Sequence, residues 1–151
     1  MKVQRLDHFT LRTPLLQETR RFFEEVAGLV VGPRPPFQFP GYWLYAGDTP
    51  LVHMAPHDPA DARLTAYLGD RPVSEDTGVL DHVALRCTDL PAFEARLKAL
   101  GQAYRARTVP ACSEHQVFVV APGRLTVEFI FDSRESSSWT ADEAGVAMEA
   151  R

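Results

Sequence analysis

The sequence predicts an α+β fold built from two copies of one β-α-β-β-β module. Three observations predict it. Leu6-Asp7-His8 recurs as Leu80-Asp81-His82, and Leu11-Arg12 recurs as Leu85-Arg86 at the same offset of 74 residues. Each copy is followed by an amphipathic segment that ends at a glycine, Gly28 or Gly101. After each glycine come short runs of strand-forming residues separated by turn signals.

In the first module, Val3 to Arg12 alternates and is rich in strand formers, so it reads as the opening strand. Thr13-Pro14 then places threonine at a helix cap and proline at the first helical position. Leu15, Thr19, Phe22, Phe23 and Val26 recur at helical spacing. Gly28 is the C-terminal stop. Leu29–Val31 forms a short strand. The stretch from Gly32 to Gly41 carries four prolines and reads as a loop. Tyr42–Ala46 and Pro50–Ala55 are the last two strands, with Gly47-Asp48 as the turn between them.

The second module repeats this order. Leu80–Arg86 is a strand. Thr88 or Asp89 caps a helix whose apolar positions are Leu90, Phe93, Leu97 and Leu100, and Gly101 stops it. Tyr104–Arg107, Gln116–Val120 and Leu125–Phe131 are strands, with Pro122-Gly123 as the last turn. One domain is expected over residues 1–131, with modules at 3–55 and 80–131. Residues 56–79 form a polar linker with helical character in its middle. Residues 132–151 form a polar tail, in which Thr140-x-x-Glu143 has the spacing of a helix-capping box.

Composition narrows the function classes. The chain has 151 residues, is 45% hydrophobic and 24% charged, and has enough apolar material for a core without disulfides. The net charge of −4 is spread along the chain, so a nucleic-acid surface is not expected, and the pairs Arg20–Arg21 and Arg105/Arg107 read as solvated surface. Two cysteines, Cys87 and Cys112, do not make a disulfide framework and read as reduced thiols. No apolar run approaches the roughly 20 residues that cross a bilayer. No charged segment followed by an apolar one marks a secretory signal. The expectation is a cytoplasmic protein with no membrane partner.

The histidines carry the functional signal. His8 and His82 occupy the same place on the opening strand of each module. Glu128 lies on the last strand of the second module, 46 residues after His82, and the corresponding residue 45 after His8 is His53. If a pseudo-twofold axis relates the modules, these four side chains converge. Glu128 sits inside Leu125-Thr126-Val127-Glu128-Phe129-Ile130-Phe131, where an unpaired carboxylate is costly and calls for a cation or a strong partner. Imidazole and carboxylate together suit zinc, iron, manganese, cobalt or nickel rather than calcium or magnesium. The expected metal ligands are therefore His8, His82 and Glu128, with His53 as a fourth ligand or a general base.

Strand parity extends the pocket. Leu6, Thr10, Leu80 and Ala84 share the ligand face of the opening strands, and Leu51, Ala55, Thr126 and Ile130 that of the closing ones. Ten residues before Glu128 is Phe118, and ten before His53 is Trp43. Without an intervening bulge these aromatic residues line the same cavity, with Tyr45 and Gln116 beside them. His115 has the opposite parity to Phe118 but lies near a strand start, where it is a candidate to support the ligands or act as an acid–base residue, with a plain surface position as the alternative. A glycine-rich phosphate loop and a G-x-S-x-G elbow are both missing from the sequence.

These features resemble the vicinal oxygen chelate superfamily over roughly residues 3 to 131. That superfamily includes glyoxalase I, extradiol dioxygenases, fosfomycin-resistance transferases, methylmalonyl-CoA epimerase and bleomycin-binding proteins. The stretch His115-Gln116-Val117-Phe118-Val119-Val120-Ala121-Pro122-Gly123, followed by Glu128, is similar to its closing hairpin. The resemblance implies curved mixed sheets forming an open barrel around one divalent ion (Fe2+, Zn2+, Mn2+ or Ni2+). It implies a small substrate that chelates the ion through vicinal oxygens, and a homodimer. The triad matching His8, His82 and Glu128 is that of extradiol dioxygenases, with a histidine near His53. Those enzymes have tyrosine where Phe118 stands. Glyoxalase I and the epimerase carry Glu or Gln where His53 stands. The leading expectation is a dioxygenase-like metalloenzyme. A glyoxalase-like lyase or isomerase stands beside it, as does a non-catalytic small-molecule binding protein of the same fold.

Overall fold

The computed structural model describes residues 1–69 and 76–139. The capping box expected at Thr140 and Glu143 lies outside them. The chain divides into two compact units, Met1–Glu75 and Asp76–Arg151.

The first unit contains β1 (Phe9–Thr13), α1 (Leu16–Glu25), β2 (Val30–Gly32), β3 (Tyr42–Ala46), β4 (Thr49–Pro56) and α2 (Ala62–Leu68). Its sheet has the order β1-β4-β3-β2, with β1 parallel to β4 and the other pairs antiparallel. One face buries Val52, Met54 and Leu44, and α1 lays Phe22 and Phe23 against the same sheet. Phe9 meets Phe23 there at 6.2 Å between ring centroids. The other face carries Thr10, His53, Trp43 and Gly32 in one cross-strand row. The proline loop and α2 pack around Phe39, Ala55 and Leu64, with Phe37 and Leu68 at the edge.

The second unit repeats the plan with β5 (His82–Arg86), α3 (Leu90–Leu100), β6 (Arg105–Val109), β7 (Glu114–Val120) and β8 (Thr126–Asp132). The order is β5-β8-β7-β6, again with one parallel pair at the edge. Val117, Val119, Val127, Phe129 and Phe131 are buried. From α3, Phe93 lies 4.6 Å from Phe129 and 5.5 Å from Phe131. Asp89 caps α3 by accepting from the Ala92 amide, and Gly101 ends it in the left-handed conformation at φ 62°. That conformation is strained for a residue with a Cβ.

Element edges differ from expectation where local hydrogen bonds override pattern. β1 starts at Phe9 rather than Val3, and residues 1–7 are exposed. β5 starts at His82, because Leu80 is held in a turn by its amide bond to the Thr77 carbonyl. Thr13 does not cap α1. It stays in β1, and its hydroxyl accepts from the Leu15 amide at 3.0 Å. The helix begins three residues later, at Leu16, with Leu16 buried and Leu15 exposed. The linker does contain a helix, α2, capped by the Asp61 carboxylate.

Candidate metal half-sites

In the first unit, three rings stack on the open face of the sheet. His53 lies parallel to Trp43, with centroids 3.9 Å apart and 2° between planes, and His8 stacks on His53 at 3.8 Å and 21°. The β3–β4 register creates the first contact by setting Trp43 opposite His53. His8 Nδ1 is 2.8 Å from the Asp7 carboxylate. His53 Nε2 is buried and has no hydrogen-bond partner. Burial, and then the neighbouring His8, hold the His53 imidazole below the usual histidine range, while a bond to the Pro50 carbonyl acts in the opposite direction.

In the second unit, His82 and Glu128 meet directly. His82 Nε2 is 2.9 Å from Glu128 Oε2, and Glu128 is only 5% exposed. His82 Nδ1 is 2.6 Å from the Asp81 carboxylate. Phe118 stands edge-on to His82 at 6.1 Å.

The repeat is visible in register. Thr10 pairs with His53 and Ala84 pairs with Glu128, both across a parallel strand pair. His8 precedes Thr10 by two residues, as His82 precedes Ala84. Each histidine is therefore one diagonal step from its partner. In both, the preceding aspartate engages Nδ1, which orients the ring and leaves Nε2 as the candidate ligand atom.

His82 Nε2 and Glu128 Oε2 pair directly at 2.9 Å; ligands about 2.1 Å from one tetrahedral cation stand about 3.4 Å apart, so the two atoms would part by about half an ångström to share an ion. The buried Nε2 of His53, which has no hydrogen-bond partner, is a further candidate ligand atom. Within neither unit, among the described residues, do three or more His, Cys, Asp or Glu side chains gather as a metal site. Each unit offers a pair.

The structure resembles solved proteins over most of its length. A glyoxalase family protein from Bacillus anthracis is 18% identical, with a TM-score of 0.64 over 87% of this chain and 98% of that one. Lactoylglutathione lyase from Agrobacterium tumefaciens is 16% identical, with a TM-score of 0.57 over 86% and 95%. The fosfomycin resistance protein FosX from Listeria monocytogenes is 15% identical, with a TM-score of 0.60 over 86% and 94%. The fold is the glyoxalase, or vicinal oxygen chelate, fold. Neither a protein-family profile nor a curated protein sequence matches the chain.

On this glyoxalase fold, the expected pocket residues are placed unevenly. Trp43 and Phe118 flank the histidines of their own units. A bulge between Leu44 and Tyr45 shifts the β3–β4 register, so Tyr45 pairs with Pro50. Its ring lies over Gly32, where a Cβ would come within 2.6 Å, and its hydroxyl donates to the Pro33 carbonyl. Gln116 is buried beside Phe118's strand position and accepts from Arg107 Nε at 2.7 Å. Leu6 and Leu80 lie outside the strands and are exposed.

His115 lies on the other side of its sheet. It is 5% exposed and packs edge-on against Trp139 at 5.2 Å. Trp139 Nε1 donates to the Thr108 hydroxyl, which is 2.8 Å from His115 Nδ1, and His115 Nε2 is 3.1 Å from the Glu135 carbonyl. A neutral imidazole protonated on Nε2 satisfies this chain of bonds. The strand pairing of Phe118 with Glu128 puts His115 and Glu128 on opposite faces.

Two features escaped the sequence reading. Asp7 and Asp81 were visible in the repeated Leu-Asp-His but were not assigned to orienting the rings. Arg105 and Arg107, expected as solvated surface, are exposed yet hold their guanidinium groups over the Phe118 ring at 5.0 and 5.1 Å. Their alternation on a strand opposite Phe118 and Gln116 was the available signal.

Proposed function

We propose that this chain is a mononuclear divalent-metal enzyme acting on a small substrate with vicinal oxygens. The ligands are His8, His82 and Glu128, and His53 is the fourth ligand or the general base. The ion is Fe2+, Zn2+, Mn2+ or Ni2+. The observation that carries this reading is the His82–Glu128 pair, an imidazole and a buried carboxylate converging at 2.9 Å with the imidazole's far nitrogen tied to Asp81. When bound, such an ion acts as a Lewis acid toward the substrate oxygens.

The chain's own residues supply the rest. Asp7 and Asp81 hold the histidines in one tautomer. His53, kept neutral by burial and by His8, accepts a proton at Nε2 when it is not a ligand. Trp43 and Phe118 give the substrate apolar walls. Two reaction types fit this set. Proton transfer by His53 at a carbon beside the substrate's vicinal oxygens would suit a lyase or isomerase, and a solved neighbour is a lactoylglutathione lyase. Two histidines and one carboxylate are also the ligand set of non-haem iron oxygenases, which favours a dioxygenase.

Protein freed of metal by chelation and reloaded with each ion separates these readings. Oxygen uptake with catechol in the iron form alone would support the dioxygenase. Chelator-sensitive turnover of the methylglyoxal–glutathione hemithioacetal with several ions would support the lyase. No uptake of any of the four ions would refute the metal site itself.

A further inference from the structure

The face of the second sheet that carries His82 and Glu128 continues across β7 to β6. Register places Ala84, Glu128, Phe118 and Arg105 in one cross-strand row, and Arg86, Ile130, Gln116 and Arg107 in the next. The guanidinium carbons of Arg105 and Arg107 stand 5.0 and 5.1 Å from the Phe118 ring centroid, so both arginines lean over one ring. Two like charges so placed repel one another, and a cation–π contact is worth only about 0.5–1 kcal/mol at an exposed position.

The acids on this face are already engaged. Glu114 accepts from Arg86 at 2.6 Å with one oxygen and from the Gln116 amide at 3.1 Å with the other. Glu128 meets His82. Gln116 passes orientation, but no charge, from Glu114 to Arg107, whose Nε it binds at 2.7 Å. Arg107 is thereby turned with its terminal amino groups unspent, and Arg105 has neither a hydrogen bond nor a carboxylate partner among the described residues. Elsewhere Arg20, Arg86 and Arg134 pair with acids, and Arg34 binds backbone carbonyls. Several exposed arginines among the described residues lack an acid partner, so what marks Arg105 and Arg107 is their convergence over one ring, where two planar guanidinium groups can bind one oxyanion between them.

We propose that Arg105 and Arg107 form an oxyanion subsite, and that the substrate carries a carboxylate or phosphonate-type group on a short apolar body lying on Phe118. This rests on the metal-site reading above for its placement, because Phe118 separates the arginines from Glu128 by one strand on each side. Strands about 4.8 Å apart put the Arg105 and Glu128 backbones about 10 Å apart, a span one small acid bridges once the arginine side chains lean inward.

The test uses the full chain treated with chelator, so that it does not depend on metal. Phenylphosphonate, benzoate and neutral benzyl alcohol are titrated calorimetrically into the wild type and into R105A, R107A, R105K and the surface control R21A. The subsite predicts that at least one anion binds and that benzyl alcohol binds at least tenfold more weakly. R105A and R107A should lose about tenfold or more of the anion affinity, R105K should fall between, and R21A should match the wild type. Tighter binding of phenylphosphonate identifies a phosphoryl-type group, and tighter binding of benzoate a carboxylate. Unchanged anion affinity in folded R105A and R107A, checked by their melting temperatures, would overturn the proposal. So would wild-type dissociation constants above about 10 mM for both anions. Failure of metal binding alone would remove the function reading but leave this result standing.

Discussion

At the scale of single residues, Glu128 stands out. It is a carboxylate in a strand of Val127, Phe129 and Phe131, all buried. Its burial was legible because the run around it is otherwise apolar, and an isolated charge there is expensive. Its distance to His82 was not legible, because a diagonal contact between parallel strands depends on register. The orienting aspartates give a prediction at this scale. Asp7→Asn and Asp81→Asn should each weaken metal affinity about 10–100-fold while leaving the ligands in place, as measured by competition with a fluorescent chelator. The thiols give another. Burial pushes the Cys87 thiol up to about 11, with Glu135 adding to the effect, whereas Cys112 is exposed. At about pH 8 Cys87 remains protonated, and only the thiolate is nucleophilic. Iodoacetamide should therefore alkylate Cys112 and spare Cys87 in the folded protein, as read by peptide mass spectrometry. Equal labelling of both would contradict the half-buried placement of Cys87.

Elements were read with different success for physical reasons. Tyr42–Ala46 has the bounds the sequence suggests, because Gly41 and Gly47-Asp48 punctuate it on both sides. The opening strands are shorter than the alternation predicts, because alternation in residues 3–7 does not supply a partner strand. The α1 start was misplaced because the Thr13 hydroxyl served a turn within its own backbone rather than a helix cap, a competition common to short polar side chains. The segment after β8 was read as a polar tail, yet it is fastened as far as Trp139. Glu135 accepts from the Leu90 amide at the start of α3, and Ser138 binds Glu94. Trp139 is buried beside His115. No periodicity announces such a strap, since its bonds run to distant elements. His115 is its central clamp. His115→Ala should cost about 1–3 kcal/mol of stability by leaving buried polar partners unsatisfied, measured by urea unfolding. Its metal content should equal that of the wild type. A loss of metal without a loss of stability would instead place His115 in the site chemistry.

For the molecule as a whole, the recurrence of Leu-Asp-His carried most of the information. It predicted two like units, and both sheets show the same strand order and the same parallel edge pair. It also predicted that His8 and His53 would stand in the relation of His82 and Glu128, which the registers reproduce. The arginine pair over Phe118 lay beyond that reading, because cross-strand neighbours on β6 and β7 are set by a hairpin whose register the repeat does not specify. The proposed ligand set takes His8 from one half of the repeat and His82 and Glu128 from the other. Elemental analysis of the purified chain beside His8→Ala and Glu128→Gln tests this most directly. The account predicts about one divalent ion per chain in the wild type and its loss in both variants, each of which removes a ligand from a different half. Full metal content in either variant would contradict it.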